Sequence, residues 1–216
     1  MYQIDLSIER WLVLNENEVL ELECGEDIDI VSRAIQATHE AERDRLLNQV
    51  KSRDRRISLR SPEALEALAS FAEHRLANPE MQLRFLYTTN ALATCERPSI
   101  FEGNTPAIPV WNRLRGGGMR SAEARSALAR LRDFLTLQPK PAALREATWD
   151  RFQHFLQSAQ QGEFETFVRR FAWDVGRTRP EDMATRISGM LVAAGYAPSP
   201  DVAHEIHRRL RSCFTT

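Results

Sequence analysis

Ser61-Pro62-Glu63 constrains the fold of this chain more than any other three residues. A serine suits a helix cap, a proline is tolerated where the first helical N–H has no partner, and an acid in the first turn meets the positive end of the helix dipole. Leu65, Leu68, Ala69, Ala72 and Leu76 then recur at helical spacing until Asn78-Pro79 stops the run. A helix is therefore expected over 62–77, between two strand-like runs, Leu46 to Lys51 and Leu83 to Thr88. Upstream, Val19 to Cys24 alternates, Gly25 turns the chain, and Ile28 to Val31 makes another short strand. Residues 2–14 place Ile4, Ile8, Trp11, Leu12 and Leu14 on one helical face, while 32–44 is polar and receives no element. Ile57 to Leu59 is expected to extend a hairpin from the third strand. The order over the first 95 residues is helix, three strands, helix, strand.

After Asn90 the character changes. Pro98, Pro106, Pro109 and Gly116-Gly117-Gly118 punctuate what reads as a connecting stretch, the triple glycine as a flexible link. Helices are expected at about 121–137, 147–160, 163–173, 180–194 and 200–213. Trp149, Phe152, Phe155, Phe164, Phe167, Phe171 and Trp173 read as the core of that second half. The fold expected is α/β, with residues 1–95 as an α/β core and 96–216 as an all-helical accessory half packed on it.

A hydrophobic content of 43% and a charged content of 27% suit a globular domain. The net charge of −1 gives no global basic field for nucleic acid, so such a site must come from local clustering. Cys24, Cys95 and Cys213 are widely spaced and read as reduced thiols of a cytoplasmic protein. No apolar run of spanning length occurs and the first 30 residues are acidic, so no membrane segment or signal peptide is expected.

Charge is clustered locally. Glu16, Glu18, Glu21, Glu23, Glu26, Asp27 and Asp29 form a stretch with no base, whereas Lys51 to Arg60 holds five bases and one acid. An acidic cluster beside a basic one suits a metal-dependent phosphodiester enzyme, because carboxylates hold hard divalent ions and nearby cations hold phosphates. Two solvated strand ends that pair with each other give the same pattern. Of the 29 Lys and Arg residues only Lys51 and Lys140 are lysines. Lys is a compact charge whose pKa moves on burial, unlike the Arg fork. Lys51 therefore reads either as a strand end reaching solvent or as a reaction-centre residue. Side chains at i and i+2 of a strand share a face roughly 7 Å apart, so Gln49 and Lys51 point the same way. His204 and His207, at i and i+3, read as surface histidines, and no Ser/His/Asp or Cys/His constellation is present.

An acid, a hairpin-spaced gap and then Gln49-Val-Lys51 resemble the motif of the PD-(D/E)xK nuclease superfamily, and the element order resembles its restriction-endonuclease-like core. Leu22-Glu-Cys-Gly-Glu-Asp-Ile-Asp29, Asn48-Gln-Val-Lys51, Leu86-Tyr-Thr-Thr-Asn90 and Tyr2-Gln3 are similar to one branch of it. That branch is the CD-NTase-associated (Cap4-like) dsDNA endonuclease domain, also found at the N-terminus of antiviral STAND (Avs) NTPases. The resemblance covers about 1–95. It implies a Mg²⁺-dependent deoxyribonuclease, with Mn²⁺ substituting, that cuts double-stranded DNA with little sequence preference as the effector of an antiphage system. Carried over, Asp27 is the metal-binding acid, with Glu23 and Asp29 as alternatives or additional ligands. Gln49 fills the middle motif position in place of the usual second carboxylate, and Lys51 is the catalytic lysine. Arg53, Arg55, Arg56 and Arg60 would contact phosphates. Homo-oligomerisation on activation and a regulatory NTPase or sensor domain beyond this chain are also implied. The alternative is a catalytically degenerate nuclease-fold module serving nucleic-acid binding or oligomerisation.

Overall fold

The computed structural model describes residues 2–14, 18–22, 27–32 and 44–213. Helix α1 (Tyr2–Trp11) precedes strands β1 (Glu18–Leu22), β2 (Asp27–Ser32) and β3 (Asp44–Lys51). Helix α2 (Pro62–Ala77) and strand β4 (Gln82–Thr89) follow. The element order expected over the first 95 residues is thus observed, and the fold is α/β. The sheet runs β1-β2-β3-β4-β5, antiparallel from β1 to β3 and parallel from β3 to β5. The α2 crossover makes β4 parallel to β3, since parallel neighbours need a long connection.

The second half is not all helical. It contributes α3 (Ala107–Arg115), α4 (Ser121–Thr136), α5 (Glu146–Ser158) and α6 (Gln161–Arg170), then strand β5 (Phe171–Val175), then α7 (Met183–Ala193) and α8 (Pro200–Cys213). The helix expected over 163–173 ends at Arg170. Phe164, Phe167 and Phe171 keep helical spacing while Phe171 and Trp173 also alternate as a strand, so periodicity alone does not place the break. Tertiary pairing decides it, with Phe85 opposite Phe171 and Tyr87 opposite Trp173. The outer edge of β5 is closed by α3: Trp111 Nε1 donates to the Phe171 carbonyl at 3.0 Å, and Asn112 brackets Trp173 with bonds of 2.7 and 3.1 Å. Such cover keeps an edge strand from pairing with another chain.

Helix α3 also corrects the reading of 98–118 as a mere connection. Pro109 is its third residue, where the backbone N–H has no intrahelical partner and proline costs little. The three glycines close its C-terminus by bonds to the carbonyls of Asn112, Leu114 and Arg113, with Gly117 at φ 70°. They are a helix-terminating turn, not a flexible link. Ile57 likewise does not form a hairpin with β3. It bridges Ala93 in parallel, donating to the Leu92 carbonyl and accepting from Thr94. Glu96, 2% exposed, accepts from the N–H groups of Leu59 and Ala107 and so joins that segment to the start of α3.

Two cores lie on opposite faces of the sheet. One packs Leu47, Phe85, Tyr87 and Trp173 beneath α2, α3, α5 and α6. Phe152, Phe164, Phe167 and Phe171 belong to this shared core and do not form a separate one for the second half. Phe85 stacks on Phe171 with ring centroids 4.9 Å apart. The other core packs Val50 with Tyr2, Leu6 and Ile8 of α1 and with α7 and α8. Here His207 is buried, not a surface residue: its Nε2 lies 2.9 Å from Asp5 Oδ1, and Arg211 reaches the same carboxylate at 2.7 and 2.8 Å. Glu9 pairs with Arg186 at 2.7 Å, so the α7–α8 hairpin is held to α1 by charge as well as apolar contact.

Candidate functional site

The strand register gathers the candidate residues at one end of the sheet. Asp27 pairs with Gln49 across β2 and β3, Asp29 with Leu47, and Gln49 with Tyr87 across β3 and β4. Directly paired positions lie on one face of a sheet. The position of Asp27 therefore shares a face with Gln49 and with Lys51, two residues further along β3. Glu23 lies outside the described residues.

Lys51 ends β3 and is half-buried. Burial lowers its pKa below the ordinary lysine value, the charges of Glu66 and Glu63 work the other way, and Arg53 adds to the lowering. Both glutamates come from the first turns of α2, where a spacing of three residues puts them on one helix face. They are occupied differently. Glu63 forms an ion pair with Arg53. Burial opposes its charge, but the bond from Arg53 and the neighbouring cations prevail, and its carboxyl titrates below the ordinary value. Glu66 makes no hydrogen bond or ion pair among the described residues. Burial, then the charge of Glu63, raises its pKa, with Lys51 and Arg53 opposing.

Two further residues complete the surroundings. Tyr87 is fully buried on β4, and its hydroxyl has no well-formed hydrogen bond among the described residues. Burial pushes its pKa up to about 12 while Arg53 pulls it down. Asn90, just past β4, clamps the Arg53 backbone: its Oδ1 accepts from the Arg53 N–H and its Nδ2 donates to the Arg53 carbonyl, both at 2.8 Å. An open cleft of about 430 Å³ is lined by Lys51 to Arg55 and Glu63.

The predicted arginines separate. Arg53 faces Glu63, and Arg55 and Arg56 are exposed on the loop after β3. Arg60 leaves the cleft and stacks its guanidinium 5.3 Å above the Phe134 ring of α4. Sequence reasoning gave no role to Glu63, Glu66, Tyr87 or Asn90. From sequence Glu63 reads only as an acid in the first turn of a helix, and Glu66 carries no signal of its own. No group of three or more His, Cys, Asp or Glu able to hold a metal is assembled among the described residues. The oxygen donors the site does offer, the Gln49 amide, the Glu66 carboxylate and the Asp27 position, are of the type a hard divalent ion takes. No described helix is long and apolar enough to cross a membrane.

No protein-family profile matches this sequence, and no curated protein does. In fold, the chain is similar to the Cap4 SAVED/CARF-domain containing receptor of Moraxella osloensis, with a TM-score of 0.52 and 12% sequence identity. The similarity covers 98% of this chain and 41% of the receptor's, so this chain spans about two fifths of the length of the solved chain it matches.

Proposed function

We propose that this chain is a metal-dependent endonuclease that cleaves double-stranded DNA, and the effector part of an antiphage defence protein. The observation that carries the reading is the register, which sets Asp27 opposite Gln49 with Lys51 closing the same strand at an open cleft. The arrangement α1-β1-β2-β3-α2-β4 agrees with the restriction-endonuclease-like core that the motif resemblance implies. The fold similarity to a Cap4 receptor supports the defence context, and the greater length of that receptor supports a sensor or regulatory region beyond this chain.

Asp27 and Gln49, with Glu66 from α2, would hold Mg²⁺, with Glu23 or Asp29 as further ligands. The ion, when bound, lowers the pKa of water and polarises the phosphate. Lys51 places a positive charge at the scissile phosphate and offsets the charge that builds on it as the bond to the attacking oxygen forms. Its half-buried setting strengthens that interaction relative to water. Arg53 does not hold substrate alone; tied to Glu63 and clamped by Asn90, it fixes the loop that leaves β3 directly after Lys51. The neutral Gln49 amide favours one alternative, a degenerate module that binds nucleic acid without cutting it.

The test is incubation of supercoiled plasmid and of duplex RNA with the protein, in Mg²⁺ and in EDTA. Nicking or linearisation of plasmid in Mg²⁺ alone is expected. Intact plasmid across a range of protein concentrations, with unimpaired DNA binding, would favour the degenerate module.

A further inference from the structure

Three loops meet at the carboxyl ends of the parallel strands. Residues 52–56 follow β3, 90–92 follow β4, and 176–182 run from β5 into α7. Backbone bonds tie them together: Ile57 to Leu92 (3.0 Å), Gly176 to Ala91 (2.8 Å) and Arg177 to Thr89 (3.1 Å). Gly176 sits at φ 73°, a backbone conformation that L side chains rarely adopt, so glycine suits this junction. The loops enclose a crevice of about 450 Å³ lined by residues 52–56, 90–92 and 179–181. In open α/β sheets, ligands settle outside the carboxyl ends of the strands.

The arginines of these loops fall into two groups. Arg53 and Arg177 are spoken for by Glu63 and Asp174, the latter at 2.6 Å. Arg55 and Arg56 are exposed and form no ion pair among the described residues. Arg179 has only Glu181, at 3.8 Å with both side chains largely exposed, a contact of little strength. Arg55, Arg56 and Arg179 line this crevice with the acids Asp54 and Glu181, and with Arg53 they leave it a net positive charge. Their planar forks match phosphate oxygens. The crevice shares residues 52–55 with the cleft beside Lys51. A continuous backbone, which presents a phosphate about every 3.4 Å of helix axis per strand, fits two adjoining clefts better than a single free anion does.

We propose that Arg179, together with Arg55 and Arg56, clamps backbone phosphates of a DNA duplex beside the Lys51 cleft. The proposal rests on the nuclease reading for the identity of its ligand. It brings a residue of the second half into the substrate track and leaves Arg60 out.

Fluorescence anisotropy of a short labelled duplex in EDTA, between 50 and 200 mM NaCl, tests it. Each phosphate contact contributes about 0.9 to the slope of log affinity against log salt, so Arg179→Ala should lower the slope by about that much, and wild type should lose ~3.5-fold more affinity across the range than the variant. Glu181→Gln should tighten binding at 50 mM. Arg115→Ala, which removes an exposed arginine at the end of α3, should leave the slope unchanged. An unchanged slope for Arg179→Ala, an equal loss for Arg115→Ala, or binding of duplex RNA to the exclusion of DNA would each overturn the clamp. If the slope falls as expected but wild type never cuts DNA in Mg²⁺, the clamp stands and the nuclease reading fails. If wild type cuts and Arg179→Ala keeps the wild-type slope, the reverse holds.

Discussion

Asn90→Ala offers a quantitative test of how the site is held. The Asn90 side chain makes two bonds of 2.8 Å to the backbone of Arg53, one as acceptor and one as donor. A net hydrogen bond contributes about 0.5–1.5 kcal/mol, so the pair is worth about 1–3 kcal/mol. Because the site is only part-buried, water can replace some of each bond and a loss near 2 kcal/mol is expected. For a chain of this size that corresponds to a melting temperature lower by ~4–8 °C. Cleavage should suffer more than stability, because the loop holds the Arg53–Glu63 pair beside the end of β3 where Lys51 stands, and a small misplacement costs about a hundredfold in rate. Asn90→Asp keeps the acceptor, loses the donor and sets a carboxylate oxygen against the Arg53 carbonyl, so it should recover no more than half of the stability. Thermal melts and plasmid-cleavage rates on the same preparations decide it. An Asn90→Ala protein that melts within ~1 °C of wild type and cuts at the wild-type rate would refute the clamp and the ordering of the loop that follows from it.

Lys51 and Glu66 should each lower stability at neutral pH, unlike the paired Arg53 and Glu63. The folded pKa of Lys51 lies below its ordinary value of 10.5, so the penalty for its charge is full below the folded pKa and vanishes only above 10.5; Lys51→Met should melt higher than wild type at pH 7 while losing activity. The folded pKa of Glu66 lies above 4.5, so its penalty is present above the folded pKa and disappears below 4.5; Glu66→Gln should melt higher at pH 8, and a difference that grew on acidification would contradict this. In the other core, His207→Ala removes one partner of a carboxylate that is 1% exposed. Breaking a buried pair costs about 3–5 kcal/mol; with Arg211 still in place the loss should be near 3 kcal/mol, a fall in melting temperature of ~6–12 °C. A fall of less than ~2 °C would mean that Arg211 alone suffices.

The elements legible in the sequence were those whose local signals agree with their tertiary setting. Helix α2 carries a start signal, an apolar stripe and a stop, β4 is rich in aromatic and branched residues, and β3 holds the apolar Leu46, Leu47 and Val50. What sequence reasoning missed depends on distant parts of the chain. Phe171 to Val175 become a strand because β4 offers a free edge, and the Pro109 of α3 breaks nothing because it falls where helical N–H groups are unpartnered anyway. His207 looks like any surface histidine until Asp5, about two hundred residues earlier, is brought against it. At the site, spacing gave Gln49 and Lys51 a common face, but it did not identify which acid faces Gln49, since a slip of one residue would change every pairing. The register pairs the position of Asp27 with Gln49 and that of Asp29 with the buried Leu47. Glu63 and Glu66 had a helical spacing on view, but only the docking of α2 beside the end of β3 gives that spacing meaning.

The central claim is that Lys51 acts at a phosphodiester in the cleft at the end of β3. The most direct measurement is the single-turnover cleavage rate of a duplex in Mg²⁺ for wild type and Lys51→Ala, with circular dichroism and duplex affinity recorded for both. Removal of a group that stabilises transition-state charge costs about 10²–10³ in rate, so the variant should retain its fold and affinity and cut slower by at least that factor. A Lys51→Ala protein that cuts at the wild-type rate would contradict the account.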